Sequence, residues 1–143
     1  MKRTAKAIWE GAGKDGKGSL TTQSGVFDKQ PYSFTTRFEN EDGKAGTNPE
    51  ELIAAAHAGC FTMALSFQLQ GAGFTATKMT TDAILSASKD DIGWKVDKIV
   101  LDLTADIPNI SKEEFDKLAG NAKEGCPISR LLKCEIEMNA KLA

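Results

Sequence analysis

The chain is poor in the groups most enzymes use. It has one histidine, His57, and three cysteines, Cys60, Cys126 and Cys134, among 143 residues. No two cysteines stand as a CxxC pair and one imidazole cannot complete the usual zinc sets, so the common metal spacings are excluded. The glycines do not follow a strand into a helix, as a phosphate-binding loop or dinucleotide fingerprint requires, and no G-x-S-x-G elbow is present. Charge of one sign is missing too: 18 Lys plus Arg face 20 Asp plus Glu, a formal net charge of -2. With no clustered positive stretch, nucleic-acid binding through phosphate contacts is not expected. If the chain has chemistry, thiols carry it.

The N-terminal Met1-Lys-Arg-Thr-Ala-Lys-Ala-Ile-Trp-Glu has basic residues but no apolar block of about 7–15 residues behind them, so no signal peptide is expected. A cytoplasmic, reducing setting follows, in which cysteines are free or form transient, catalytic disulfides. From Leu52 to Thr77 there is no Asp, Glu, Lys or Arg, a run long enough to raise the question of a membrane span. His57, Thr62, Ser66, Gln68 and Gln70, with Gly59, Gly71 and Gly73, make it too polar for that, and a buried helix is expected instead.

The chain length suits one domain, 1–143. Alternation predicts strands near Ala5–Trp9, in the Thr/Ser-rich run Ser19–Gly25, and from Tyr32 to Phe38, where Tyr32, Phe34 and Phe38 share a face. A polar loop, 39–48, precedes a long helix. Asn48 is a good N-cap, Pro49 suits the first helical position, Glu51 can close a capping box, and Gly71 ends the helix. Its apolar residues lie all round the cylinder, so it must be enclosed on every side, which one protomer with a single sheet does poorly. A two-fold dimer wrapping two such helices is expected. Met79 to Ala87 and Ile99 to Ile107 then alternate as strands joined through Asp90–Gly93. Ser111 with Glu114 starts a helix, Gly125 ends it, Cys126-Pro127 opens a short one, and Cys134–Leu142 is a last strand. The order βββαββααβ is α+β with largely antiparallel pairing.

The three thiols differ in setting. Cys134 alternates with charged residues and shares a face with Ile136, Met138, Ala140 and Leu142, as a small core hydrophobe does. Cys126 stands before Pro127 at an N-cap, where free N–H groups favour a thiolate, although any small polar residue can fill that place; both readings stay open. Cys60 is mid-helix among Ala56, Gly59, Phe61 and Ala64, a setting that makes a thiol inert unless a cation reaches it from elsewhere in the fold. His57, one turn earlier, could form a Cys/His dyad with it or could simply be packed.

Asn48-Pro-Glu-Glu-Leu52 leading to Ala58-Gly-Cys60-Phe61, and then Lys123-Glu-Gly-Cys126-Pro-Ile-Ser129, resembles the OsmC/Ohr family of organic hydroperoxide reductases over essentially the whole chain. Phe34-Thr-Thr-Arg-Phe38 and the long loop after it look more like the OsmC branch. The resemblance implies antiparallel sheets wrapped around long central helices in an intertwined homodimer. It also implies a peroxidase with no bound metal, haem or flavin that acts on organic, lipid-like hydroperoxides. Carried over, Cys60 is the attacking thiol, Cys126 the resolving thiol, and Arg37, in the strand before the loop, the cation Cys60 needs, held by Glu50. An external dithiol, with a dihydrolipoyl group implied, reopens the Cys60–Cys126 disulfide. The competing expectation is a protein of the same fold that holds a lipid-like ligand and does no chemistry.

Overall fold

The computed structural model describes all 143 residues. Contacts divide them into two compact units, Met1–Leu52 and Ile53–Ala143.

The first unit holds strands β1 (Ala5–Glu10), β2 (Lys17–Thr22) and β3 (Gln30–Ser33) in one antiparallel sheet of order β1-β2-β3. Gly11, Gly13 and Gly16 have a fingerprint-like spacing, yet they turn β1 back onto β2 and no helix follows. Trp9 and Tyr32 meet across β2 with ring centroids 5.5 Å apart. Their rings fill the space over Gly18, where a Cβ would come within 2.4 Å of Tyr32 and 2.7 Å of Trp9. None of this unit's apolar side chains is fully buried.

The strand expected over Tyr32–Phe38 stops at Ser33, and Phe34–Phe38 is instead a one-turn helix, α1. Arg37 is therefore helical, not on a strand. The cause is local: Ser33 Oγ accepts the Thr36 N–H while Thr36 Oγ1 accepts the Ser33 N–H, a reciprocal capping box. Phe34 and Phe38, four apart, share a face in either conformation, so apolar spacing alone could not choose between them; their rings are 5.0 Å apart.

Helix α2 (Pro49–Gly71) starts and ends where its signals predicted. Asn48 Oδ1 accepts the Glu51 N–H at 2.8 Å, but the Glu51 carboxylate takes the Thr47 hydroxyl at 2.6 Å rather than closing the box on Asn48. It is long and apolar enough to cross a membrane by length and composition. Its buried positions are His57, Phe61, Leu65 and Leu69, four apart along one line, and the three apolar ones belong to the core. Met63 and Phe67 stay exposed on other faces.

The second unit is built on strands β4 (Lys78–Lys89), β5 (Trp94–Asp106) and β6 (Glu135–Leu142), in the order β4-β5-β6. The central strand contributes Ile99, Leu101, Leu103 and Ala105, each at most 2% exposed, to a core shared with α2 and with Phe115, Leu118, Ala119 and Ala122 of α3 (Lys112–Gly125). Ser111 caps α3 as its spacing predicted, its Oγ accepting the Glu114 N–H. β4 and β5 pair antiparallel, whereas β6 joins β5 in parallel. A parallel partner needs a crossover, which α3 and the short α4 (Pro127–Leu131) supply. Cys134 precedes β6 and is half-buried against the core, as its alternation predicted. The fold class is α+β.

Candidate active site

Two clusters of polar chemistry stand out, one in each unit.

In Ile53–Ala143, Cys60 lies midway along α2 and Cys126 at the junction of α3 and α4, 66 residues later. Core packing of α2 against the β5–α3–α4–β6 crossover brings their Sγ atoms to 2.6 Å, both thiols being free. A small movement would form a disulfide, whose bond length is about 2.05 Å. Cys126 is fully buried and Cys60 half-buried.

The two sulfurs hold their protons unequally. Burial pushes the Cys60 thiol up, the hydrogen bond with Cys126 adds to the rise, and the Ile128 N–H only partly offsets it. Burial also acts to raise Cys126, but the Cys60 thiol, the N–H and hydroxyl of Ser129 and the Ile128 N–H favour its thiolate, and the net direction is downward. The physical reason is position: Cys126 precedes Pro127 at the start of α4, where N–H groups lack helical partners, while Cys60 has no helix terminus beside it. Of the two thiols, Cys126 is therefore the stronger acid and Cys60 the weaker.

His57 does not form a dyad with Cys60. It is fully buried, its Nε2 lies 2.8 Å from Ser129 Oγ on α4, and its Nδ1 has no partner. Burial lowers its pKa below the ordinary value of 6.5. The folded chain thus keeps His57 neutral where the unfolded chain protonates it, so its contribution to stability is complete above about pH 6.5 and is lost as pH falls towards the lowered folded value. Unfolding midpoints in denaturant, measured from about pH 8 down to about pH 5, should fall for the wild type and fall less for His57→Gln, which does not titrate.

An open groove of about 520 Å³, lined by Ala58, Gly59, Thr62, Met63, Met79 and Thr81 among others, runs beside the α2 segment that carries Cys60. Its walls are mostly methyl, methylene and thioether groups, suited to an apolar guest. No cluster of three or more His, Cys, Asp or Glu side chains is placed to hold a metal ion.

In Met1–Leu52, Arg37 of α1 grips Glu50 in the first turn of α2. Its Nε is 3.2 and 3.0 Å from the two carboxylate oxygens and its Nη2 is 2.5 Å from Oε1. Burial acts to raise the Glu50 carboxyl, but the Arg37 hydrogen bonds, its own backbone N–H and the Arg37 charge bring it below the usual carboxylate range. The Arg37 guanidinium also lies 4.8 Å from the centre of the Phe38 ring. The loop between the partners is pinned by Asn40, whose Nδ2 donates to the Thr36 carbonyl and whose Oδ1 accepts the Ala45 N–H. Only Nε and Nη2 reach Glu50, which leaves Nη1 for another acceptor.

All four sequence-predicted site residues thus fall into two contacting pairs, Cys60 with Cys126 and Arg37 with Glu50. Sequence reasoning missed Ser129. Its position three residues after Cys126, on the same turn of a helix opened by Pro127, is the signal that could have found it.

A family model described as OsmC-like protein matches residues 41–141. The chain is 49% identical over 140 residues to the protein named Peroxiredoxin OsmC of Escherichia coli (strain K12), covering 98% of this chain and 96% of that one. The solved structure of the organic hydroperoxide resistance protein OhrB of Bacillus subtilis matches 98% of both chains with a TM-score of 0.70 and 26% identity. An OsmC-like protein of unknown function from Vibrio cholerae shares the fold with a TM-score of 0.78 at 18% identity, covering 98% of this chain and 99% of that one. With its paired thiols and these relatives, the chain belongs to the OsmC family and is a cysteine-based peroxidase.

Proposed function

We propose that the protein reduces organic, lipid-like hydroperoxides to alcohols, with Cys60 attacking, Cys126 resolving, and Arg37, held by Glu50, activating the attack. The observation that carries this reading is the 2.6 Å separation of two free thiols 66 residues apart. Cys60 thiolate attacks the distal peroxide oxygen; the O–O bond breaks, the alkoxide leaves and takes a proton to become the alcohol, and Cys60 becomes a sulfenic acid. Cys126 then attacks that sulfur, water departs, and the disulfide awaits an external dithiol, for which a dihydrolipoyl group is the expected source.

The role given to Arg37 follows from a magnitude. For a thiol at pH 7, lowering the pKa from about 8.5 to about 6 raises the thiolate fraction roughly thirtyfold, while a Brønsted coefficient near 0.45 lowers its nucleophilicity about thirteenfold. Only about a twofold gain survives. The greater part of the acceleration must come from placing the peroxide and stabilising charge on the departing oxygen. An arginine fork fixed by a carboxylate, permanently charged and with a nitrogen to spare, suits that task better than a lysine would.

The working form is a cytoplasmic homodimer in which both units act as one domain. Support comes from the exposed Met63 and Phe67 on α2 and from a first unit that fully buries no apolar side chain alone. The apolar groove along the stretch of α2 that carries Cys60, lined by Ala58, Gly59 and Thr62, supports a greasy peroxide over a small polar one. With a dihydrolipoyl dithiol as reductant, kcat/KM for a bulky alkyl hydroperoxide should exceed that for hydrogen peroxide by about tenfold or more, a difference of about one good apolar contact. Equal values would reject the substrate class.

A further inference from the structure

The hydrogen bonds between Arg37 and Glu50 leave one motion of the guanidinium unrestrained. Nε lies 3.2 and 3.0 Å from the two carboxylate oxygens and Nη2 is 2.5 Å from Oε1, so the carboxylate grips one edge of a planar group. An edge contact stops rotation within the plane and acts as a hinge for tilting out of it. Nη1 is the nitrogen off that hinge line. A tilt of about 30° carries it through roughly 1 Å, and a misplacement of that size at a reacting centre can cost on the order of 100-fold. A face contact is what stops a tilt, and the Phe38 ring supplies one: the Arg37 guanidinium carbon lies over it, 4.8 Å from its centre. The ring is itself braced. Phe34, one turn earlier on α1, meets it with centroids 5.0 Å apart and planes inclined by 51°, and the Lys14 ammonium lies 5.8 Å from the centre of the Phe34 ring. Phe38 is 37% exposed and belongs to no core cluster, so core packing does not account for an aromatic side chain there.

We infer that Phe38 is a positioning residue for the peroxide-cleaving step: its ring sets the tilt of the Arg37 guanidinium, and so the direction in which Nη1 donates, an inference that rests on the role proposed above for Arg37. Glu50 and Phe38 divide the task, the carboxylate holding the plane by its edge and the ring by its face. In the step they serve, the Cys60 thiolate takes the distal peroxide oxygen as an S–O bond forms and the O–O bond breaks. The departing alkoxide, its charge met by the guanidinium, then takes a proton from water to become the alcohol. Neither Phe38 nor Arg37 gains or loses a proton. The brace behind the ring depends on local structure. In an extended strand, residues four apart would stand about 13 Å from each other, and the turn of helix closed by the Ser33–Thr36 capping box brings the two rings into contact instead.

The test treats the two half-reactions separately. Single-turnover oxidation of the reduced protein by a bulky alkyl hydroperoxide should be about threefold to tenfold slower in Phe38→Leu, which keeps the apolar bulk and loses the ring face. Phe38→Tyr, which keeps the face, should retain most of the wild-type rate. In an Arg37→Lys background, Phe38→Leu should cost less than about twofold, because an ammonium has no plane to tilt. Reopening of the Cys60–Cys126 disulfide by dithiothreitol should run at the wild-type rate in Phe38→Leu, since the ring serves the oxidative half alone. In proton spectra of the wild type, the Arg37 side-chain N–H signals should be shifted upfield by the ring current, and Phe38→Leu should abolish the shift. An unchanged oxidation rate in Phe38→Leu, equal slowing by leucine and tyrosine, an undiminished effect beside Arg37→Lys, or equal slowing of both half-reactions would overturn the inference. Absence of the ring-current shift in the wild type would overturn it even if Phe38→Leu proved unstable. Failure of Arg37→Ala to slow oxidation would instead overturn the role of Arg37 on which it rests.

Discussion

Cys60→Ser is expected to lose peroxide turnover by a factor on the order of 10^4 or more, since removing a nucleophile removes the covalent step itself and leaves only binding and charge stabilisation. A serine hydroxyl in that apolar setting is not ionised and cannot accept the peroxide oxygen. Cys126→Ser should behave differently. Its first turnover should proceed, giving one alcohol per chain and a sulfenic acid that a dimedone-type trap captures, after which steady-state turnover falls sharply for want of a partner thiol. Peroxide consumption with and without pre-reduction separates the two variants. Full steady-state activity in Cys60→Ser would mean that this thiol is incidental to the turnover.

The second large effect is expected at Arg37. Replacement by alanine should lower kcat/KM by about 10²–10³, the usual cost of deleting a donor aimed at developing charge. Arg37→Lys should recover little of it, because an ammonium cannot hold both Glu50 oxygens and keep a fixed second nitrogen for the substrate. The pH profile distinguishes two accounts of the arginine. If Arg37 served only to ionise Cys60, raising the pH until the thiol is fully ionised would restore Arg37→Ala. Ionisation alone is worth about twofold after the loss of nucleophilicity, so the defect should persist on the alkaline plateau. Glu50→Gln should cost less, about tenfold, because it leaves the guanidinium charged but loosens its aim.

Much of this architecture is legible from residues alone. Asn48-Pro49 and Gly71 mark the ends of α2, alternation finds β4 and the buried face of β5, and Ser111 marks α3, because caps and periodicity are local properties. What the sequence hides is either locally ambiguous or distant. Phe34 and Phe38 fit a strand and a helix equally, and the Ser33–Thr36 box decides for helix. The parallel pairing of β6 depends on where a crossover returns, which no local pattern encodes. Cys60 alone reads as inert, and its local environment agrees, since burial raises its pKa. Its partnership with Cys126 is carried by the family resemblance, and so is the pairing of Arg37 with Glu50, two residues that local patterning does not join. The His57–Ser129 contact was invisible for a plainer reason: a buried histidine can find its partner anywhere in a fold, and 72 residues separate these two.

The central claim is that two of the three thiols are consumed together by one peroxide. Intact-mass and thiol titration of the reduced protein, after one equivalent of a bulky organic hydroperoxide, test it directly. The expected result is the loss of two thiols per chain, no covalent dimer, and a tryptic peptide pair joining Cys60 to Cys126 with Cys134 still free. An unchanged thiol count, or a disulfide that includes Cys134 in place of either, would contradict it.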